Sequence, residues 1–112
     1  MLIHTVSKLA LSVPPVSTVM LDMHPRSPRA RRTTITCKAS ATGGGARRQY
    51  KWFVYDGSRW TPASKWSTND TFRWTPLTAN PRYRIAVWAR SASSMSDDFE
   101  AYAEVGLAII EN

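Results

Sequence analysis

Apolar and polar residues alternate in several short segments of the chain, most clearly at residues 50–55 and 82–90. In the second segment Tyr83, Ile85 and Val87 occupy odd-numbered positions. The arginines of that segment occupy even-numbered positions: Arg82, Arg84 and Arg90. Successive side chains of a strand point to opposite faces, so this alternation predicts β-strands with one face on a core. Asp56-Gly57 directly follows the first segment and is typical of a hairpin turn.

Further segments complete the predicted set of strands. Residues 18–23, 33–41 and 101–110 alternate in the same way, and prolines close aromatic segments at Pro62, after Trp60, and at Pro76, after Trp74. No apolar stripe has helical spacing. The pattern predicts an all-β, two-sheet antiparallel sandwich of about seven strands with almost no helix. The arginine- and proline-rich residues 24–32 are too charged and irregular for a predicted strand.

The chain length of 112 residues suits one domain, which we place at residues 17–112. Residues 1–16 are interrupted by Ser12 and Pro14-Pro15 and lack a small-x-small cleavage site, so a linker or tail is favoured over a signal peptide. No apolar run approaches the roughly 20 residues that cross a bilayer, so no membrane span is predicted.

Three aromatic segments carry a family resemblance: YKWFVYDGSRW at 50–60, WSTNDTFRWTP at 66–76 and YRIAVWARS at 83–91. In their aromatic spacing they resemble the triple-tyrosine type of immunoglobulin-like repeat in bacterial secreted, surface and sensor proteins. The resemblance implies an immunoglobulin- or fibronectin-III-like sandwich, an extracytoplasmic location (periplasmic, cell-surface or secreted) and no catalytic residues. Asn80-Pro81-Arg82 departs from the family, which usually has a glycine in that turn.

Tyr83 and the single cysteine add to this resemblance. Tyr83 follows Leu77 by six residues, as in the corner of immunoglobulin-like sandwiches where a tyrosine hydrogen-bonds back across the turn. Ile85 stands where antibody-type domains have a second cysteine, so Cys37 is expected to be a buried thiol without a disulfide.

The alternation of side chains between the two faces of each strand predicts a candidate partner-binding face. Strands C and F of an immunoglobulin-like sheet are neighbours, so the outward residues of 50–55 and 82–90 should meet. The predicted face consists of Lys51, Phe53, Tyr55, Arg84, Trp88 and Arg90. Cross-strand packing alone, contact with a protein partner or neighbouring module, and binding of an acidic polysaccharide or other polyanion remain open for this face. The other large aromatic residues are interpreted as core and sheet-edge packing: Trp60, Trp66, Phe72 and Trp74.

Basic residues outnumber acidic ones by 15 to 8, for a formal net charge of +7, which suits either a solvated surface or a polyanionic partner. A secondary basic loop contains Arg26, Arg29, Arg31 and Arg32. Arg47-Arg48 lies at the other end of the strand at 33–41, so the two groups should not form one patch. A nucleic-acid site would interleave such arginines with aromatic residues, so nucleic acid is disfavoured.

No set of residues has the spacing of a catalytic or metal site, since His4 and His24 are isolated. Asp97, Asp98, Glu100 and Glu104 could offer oxygen ligands to calcium, but a solvated loop that offsets nearby arginines is favoured. The sequence therefore predicts a non-enzymatic structural or protein-interaction module without cofactor or metal. Polyanion binding on the basic and aromatic face is the alternative.

Overall fold

A computed structural model of the protein describes residues 13–111, and this span forms eight strands in two sheets. The strands are β1 (Val16–His24), β2 (Arg29–Ala30), β3 (Ile35–Gly43), β4 (Arg48–Tyr55), β5 (Trp60–Pro62), β6 (Thr71–Trp74), β7 (Asn80–Ser91) and β8 (Ala101–Ile110). The prediction of an all-β fold with two sheets is confirmed for this span. Residues 13–111 contain no helix, and hence none long and apolar enough to cross a membrane.

One sheet has the order β1-β3-β6 and the other the order β2-β8-β7-β4-β5. Neighbouring strands are antiparallel except that β2 runs parallel to β8, with Arg29 opposite Ile109. The prediction that the arginine-rich loop has no regular structure is therefore wrong at Arg29–Ala30. Pairing to the free edge of β8 satisfies backbone groups there, and arginine side chains at such an edge can extend into solvent.

The core lies between the two sheets and follows the predicted parity. Ile35 and Cys37 of β3 and Ile85 and Val87 of β7 are almost completely buried. Trp52 of β4 is 2% exposed, and its ring stacks on Phe72 of β6 at 5.4 Å between centroids. Large rings thus fill the space between the sheets without a disulfide, and burial raises the pKa of the free Cys37 thiol to about 12.

The first strand begins earlier than the sequence pattern indicated. Val16 is 2% exposed, and its N–H donates to Oε1 of Glu100 at 2.9 Å. Val16 therefore belongs to the core, although we placed it in the lead-in. Residues 1–12, including His4, lie outside the described residues, and so does the interpretation of that segment as a linker or tail.

The turn into β7 is held by side chains. The Tyr83 hydroxyl donates to the Thr78 carbonyl at 3.1 Å, which confirms the predicted bond back across the turn. The amide of Asn80 accepts from the Arg82 N–H at 2.8 Å and donates to the Asp56 carbonyl at 2.6 Å. The asparagine side chain satisfies backbone groups of this turn, which contains no glycine at residues 78–82.

Replacing Trp52 with alanine should lower the free energy of unfolding by about 3–5 kcal/mol, because a large cavity would remain between the sheets. Trp60→Ala is the matched control, since that side chain is 41% exposed, and its cost should be about 1 kcal/mol or less. Urea unfolding followed by circular dichroism measures both values. Similar losses for the two variants would show that Trp52 does not have this central packing role.

Candidate interaction face

The antiparallel pairing of β4 with β7 brings the residues of the predicted face together. Across these strands the opposing pairs are Lys51–Trp88, Phe53–Ala86, Tyr55–Arg84 and Gln49–Arg90. All lie on the side of the five-stranded sheet that faces away from the core, because their strand neighbours Trp52 and Val87 are in the core. The predicted residues therefore share one surface of the sheet.

Trp88 lies at the centre of a cluster of rings on this surface. Its ring centroid is 4.5 Å from Phe53, 5.4 Å from Phe99 and 6.4 Å from Trp66. Phe99 in turn packs against Tyr102 at 4.9 Å. Tilted and edge-on contacts at these distances are favourable between aromatic rings, so the cluster orders the loops before β8 and before β6 on the sheet.

A second ring contact extends the cluster to the edge strand, where Tyr55 and Trp60 lie 5.1 Å apart. We call the whole surface the aromatic face, and its rings are Phe53, Tyr55, Trp60, Trp66, Trp88, Phe99 and Tyr102.

The aromatic face contains an open groove of about 530 Å³. Its walls are aliphatic or aromatic except for Glu104, and its lining consists of Phe53, Trp60, Pro62, Ala86, Trp88, Phe99, Tyr102 and Glu104. A concave, largely apolar surface of this kind favours contact with an apolar group.

Exposure on the aromatic face differs from the prediction. Phe53 points outward as predicted but is only 8% exposed, because neighbouring rings cover it. The exposed rings are Trp60, Phe99 and Tyr102, at 41%, 40% and 53%. Phe53 thus forms the floor of the groove, and residues of β5, β8 and the preceding loop form its accessible rim.

The sequence interpretation missed Phe99 and Tyr102, and it assigned Trp60 and Trp66 to core and edge packing. Tyr102 lies opposite Trp88 on β8 and alternates with inward residues of that strand. The outward position of Tyr102 in the alternating pattern of β8 could therefore have identified it, once β8 was known to lie beside β7. Phe72 and Trp74 do pack towards the core, as predicted.

The basic residues of the predicted face already have partners. Nζ of Lys51 lies 3.1 Å from Oδ1 of Asp97, and Nε of Arg84 lies 2.7 Å from Oε1 of Glu104. The Arg90 guanidinium lies 4.1 Å from the centre of the Trp66 ring and donates to the Gln49 side chain at 2.9 Å. A polyanion would have to compete with these contacts.

The acidic residues near β8 have separate roles. Asp97 and Glu104 pair with the basic residues just described, which agrees with the favoured interpretation of this region. Glu100 instead accepts the N–H groups of Val16 and Ser91, at 2.9 and 2.8 Å, and so links β1 to β7. Within residues 13–111, no three potential ligands come together to hold a metal ion.

Asp97 connects the ring cluster to the charge pairs. Its Oδ1 accepts the Trp66 indole N–H at 2.7 Å as well as the bond from Lys51. Hydrogen bonds to the ionised carboxylate favour that form, so these contacts, first Trp66 and then Lys51, lower the pKa of Asp97 below its usual 3.8.

We expect the indole N–H signal of Trp66 to report the titration of Asp97 in a pH series followed by NMR. Because the pKa of Asp97 is lowered in the folded state, the contact should be complete above pH 3.8 and be lost only at lower pH. Asp97→Asn is the control, since the amide oxygen can still accept the bond but cannot titrate. A midpoint at or above 3.8 in the wild type would contradict the contact.

No family model, curated protein or solved structure matches the chain.

Proposed function

We propose that the protein is a non-catalytic, immunoglobulin- or fibronectin-III-like module of a bacterial extracytoplasmic protein, and that it contacts a protein partner through its aromatic face. The bacterial and extracytoplasmic parts of the proposal rest on the resemblance of residues 50–60, 66–76 and 83–91 to the triple-tyrosine type of repeat.

The strand order supports the immunoglobulin-like part of the proposal. If β1, β3 and β6 are strands A, B and E, then β4, β7 and β8 are C, F and G, in the neighbouring order expected for that fold. Tyr83, near the start of β7, bonds back to Thr78 as the corner tyrosine of strand F does. The strand order depends on pairing between residues far apart in the chain, whereas the Tyr83 bond is local to its turn.

The observation that carries the proposal is the groove with its rim of exposed rings and paired charges. Trp60, Phe99 and Tyr102 expose aromatic surface beside each other, and the neighbouring Lys51 and Arg84 already have carboxylate partners. Contiguous exposed aromatic surface is typical of protein contacts, in which aromatic residues are enriched and charged ones depleted at the centre.

The partner that this chemistry fits is a second copy of the domain, packed sheet to sheet. The ion pairs Lys51–Asp97 and Arg84–Glu104 place both signs of charge on the aromatic face. A twofold axis through the groove would stack the rims of the two copies and place unlike charges near one another. The rest of a chain with a net charge of +7 would repel a second copy.

The size of the aromatic face indicates weak association. Three strands of at least eight residues, about 4.8 Å apart, together with the three-residue β5 cover roughly 400 Å². This is less than the roughly 800 Å² per partner of standard stable interfaces. We therefore expect a contact that depends on concentration, or on two modules being held in one assembly.

Polyanion binding on the aromatic face receives less support. The groove at its centre is apolar, and Lys51, Arg84 and Arg90 would have to leave Asp97, Glu104 and the Trp66 ring to bind an anion. Breaking such a pair leaves one charge without its partner, which offsets what the anion contributes.

Sedimentation velocity from about ten micromolar to about one millimolar, the range in which small contacts associate, should show a rising average mass for the wild-type domain. The double variant Phe99→Ser/Tyr102→Thr should remain monomeric, because the rim loses its aromatic surface. Met20→Thr is the matched control: Met20 lies in the other sheet and is 72% exposed, and its loss should leave association unchanged.

Unchanged circular dichroism spectra would show that the variants are folded. A wild-type domain that stays monomeric throughout, or a double variant that associates like the wild type, would contradict self-contact through the aromatic face. Added salt should not weaken the association, since apolar contact and not net charge drives it.

A further inference from the structure

The end of the sandwich where β7 begins collects arginines from three separate parts of the sequence. They come from the loop around β2, from the turn between β4 and β5, and from the start of β7. We call the exposed members of this group the arginine end; they are Arg26, Arg29, Arg32, Arg59 and Arg82. The sequence interpretation recognised only the arginines of the first segment.

Strand pairing brings the first and third segments together. Ile109 of β8 lies opposite Arg29 on one side and opposite Asn80 on the other. In addition, Ser27 Oγ accepts the N–H of Ala108 at 2.8 Å, which fixes the loop that carries Arg26 next to β8. The arginines of this loop therefore lie at the same end of the sheet as the start of β7.

The turn between β4 and β5 joins the same region. The Asn80 side chain donates to the carbonyl of Asp56 at 2.6 Å, so this turn is bound to the start of β7. Arg82 packs against Gly57: a Cβ atom built onto this glycine would lie 3.2 Å from Cβ of Arg82. Arg59 follows that glycine by two residues, so the turn that carries it lies beside Arg82.

A cleft of about 450 Å³ opens among these segments. Ser27, Arg82 and Arg84 all line it, so residues from the β2 loop and from β7 surround one concave surface. Two arginines line this cleft, Arg82 of the arginine end and Arg84, which is paired with Glu104, whereas the groove of the aromatic face is lined by no basic residue.

The cations of the arginine end have few counter-charges. Within the described span of the chain, the ion pairs near this end are Arg31 with Glu111, at 2.9 Å, and Arg84 with Glu104. No carboxylate of residues 13–111 lies within ion-pair distance of the five arginines that define the end. The carboxylate of Asp56 instead accepts the N–H groups of Ser58 and Arg59, both at 2.9 Å.

We propose that the arginine end is a binding site for a sulfated polysaccharide. Guanidinium groups pair with sulfate oxygens through two parallel hydrogen bonds, which a planar donor with several N–H groups makes well. Arginines spread over several segments suit a ligand that repeats its anionic groups along a chain. Unpaired cations at one end of a basic domain also attract such a ligand over several ångströms of solvent.

The aromatic residues near the cleft favour a polysaccharide over a single-stranded nucleic acid. Binding of unpaired bases uses exposed rings on which the bases stack. Here the Tyr83 ring packs edge-on against Trp74 at 4.8 Å, and Tyr55 packs against Trp60 at 5.1 Å. Both tyrosines that line the cleft thus already have aromatic partners, which leaves charge as its main means of recognition.

The opposite end of the sandwich provides a matched control. Arg48 there donates to the carbonyl of Gly43 at 2.6 Å, whereas Arg47 is exposed and follows the glycine-rich loop. Arg47→Gln removes one positive charge from the domain without changing the arginine end.

The test is a titration of the folded protein with a heparin oligosaccharide at several sodium chloride concentrations, followed by calorimetry. The wild type should bind at low salt and lose affinity steeply as salt increases. Arg29→Gln/Arg82→Gln should reduce affinity by about tenfold or more and reduce the slope of log affinity against log salt by about two. Arg47→Gln should stay within about twofold of the wild type and change that slope by less than one.

Each other outcome would overturn the proposal. Absence of binding at low salt would show that the site does not exist. Because Arg47→Gln removes one charge and the double variant removes two, a loss for Arg47→Gln of half the double variant's or more would show attraction by net charge alone. Tighter binding to a single-stranded oligonucleotide of the same charge would make the proposed ligand wrong. Loss of heparin binding in Phe99→Ser/Tyr102→Thr would move the site to the aromatic face, so this variant separates the present proposal from the protein contact.

Discussion

The antiparallel pairing of β4 with β7 is the constraint on which the rest of the structure depends. It sets Trp52 opposite Val87, so that a large ring and a branched side chain enter the space between the sheets together. The same register sets Phe53 opposite Ala86 and Lys51 opposite Trp88 on the outer side. A shift of one residue would exchange the two sides of the strand and bring charged side chains into the core.

The outer side of this pair is a second apolar layer. Phe53 and Ala86 are 8% and 4% exposed although neither faces the space between the sheets. Rings from the loop before β8 and from β5 cover them, and Asp97 holds Trp66 and Lys51 in place through hydrogen bonds. The aromatic face is thus organised by its own packing, and its exposed rim is what remains for a partner.

Charge is distributed unevenly over the domain. On the aromatic face Lys51 and Arg84 are balanced by Asp97 and Glu104, whereas at the arginine end Arg29 and Arg82 have no such partners among the described residues. An apolar contact and an electrostatic one can therefore operate on different surfaces of the same sandwich. The apolar contact should be insensitive to salt and the electrostatic contact should weaken as salt increases, so salt distinguishes the two.

The sequence by itself indicated most of the strands and which side of each faces the core, although not β2 or the start of β1, because alternation is a local property with a period of two residues. Alternation indicated the inward positions of Ile85 and Val87, and the resemblance of Leu77 and Tyr83 to a sandwich corner implied the bond of Tyr83 across its turn. Only the tertiary structure decided that Tyr102 lies beside Trp88 and that Gly57 lies beside Arg82. Those neighbours depend on which strands pair and on which turns meet at one end, and such long-range contacts leave no periodic signal in the chain.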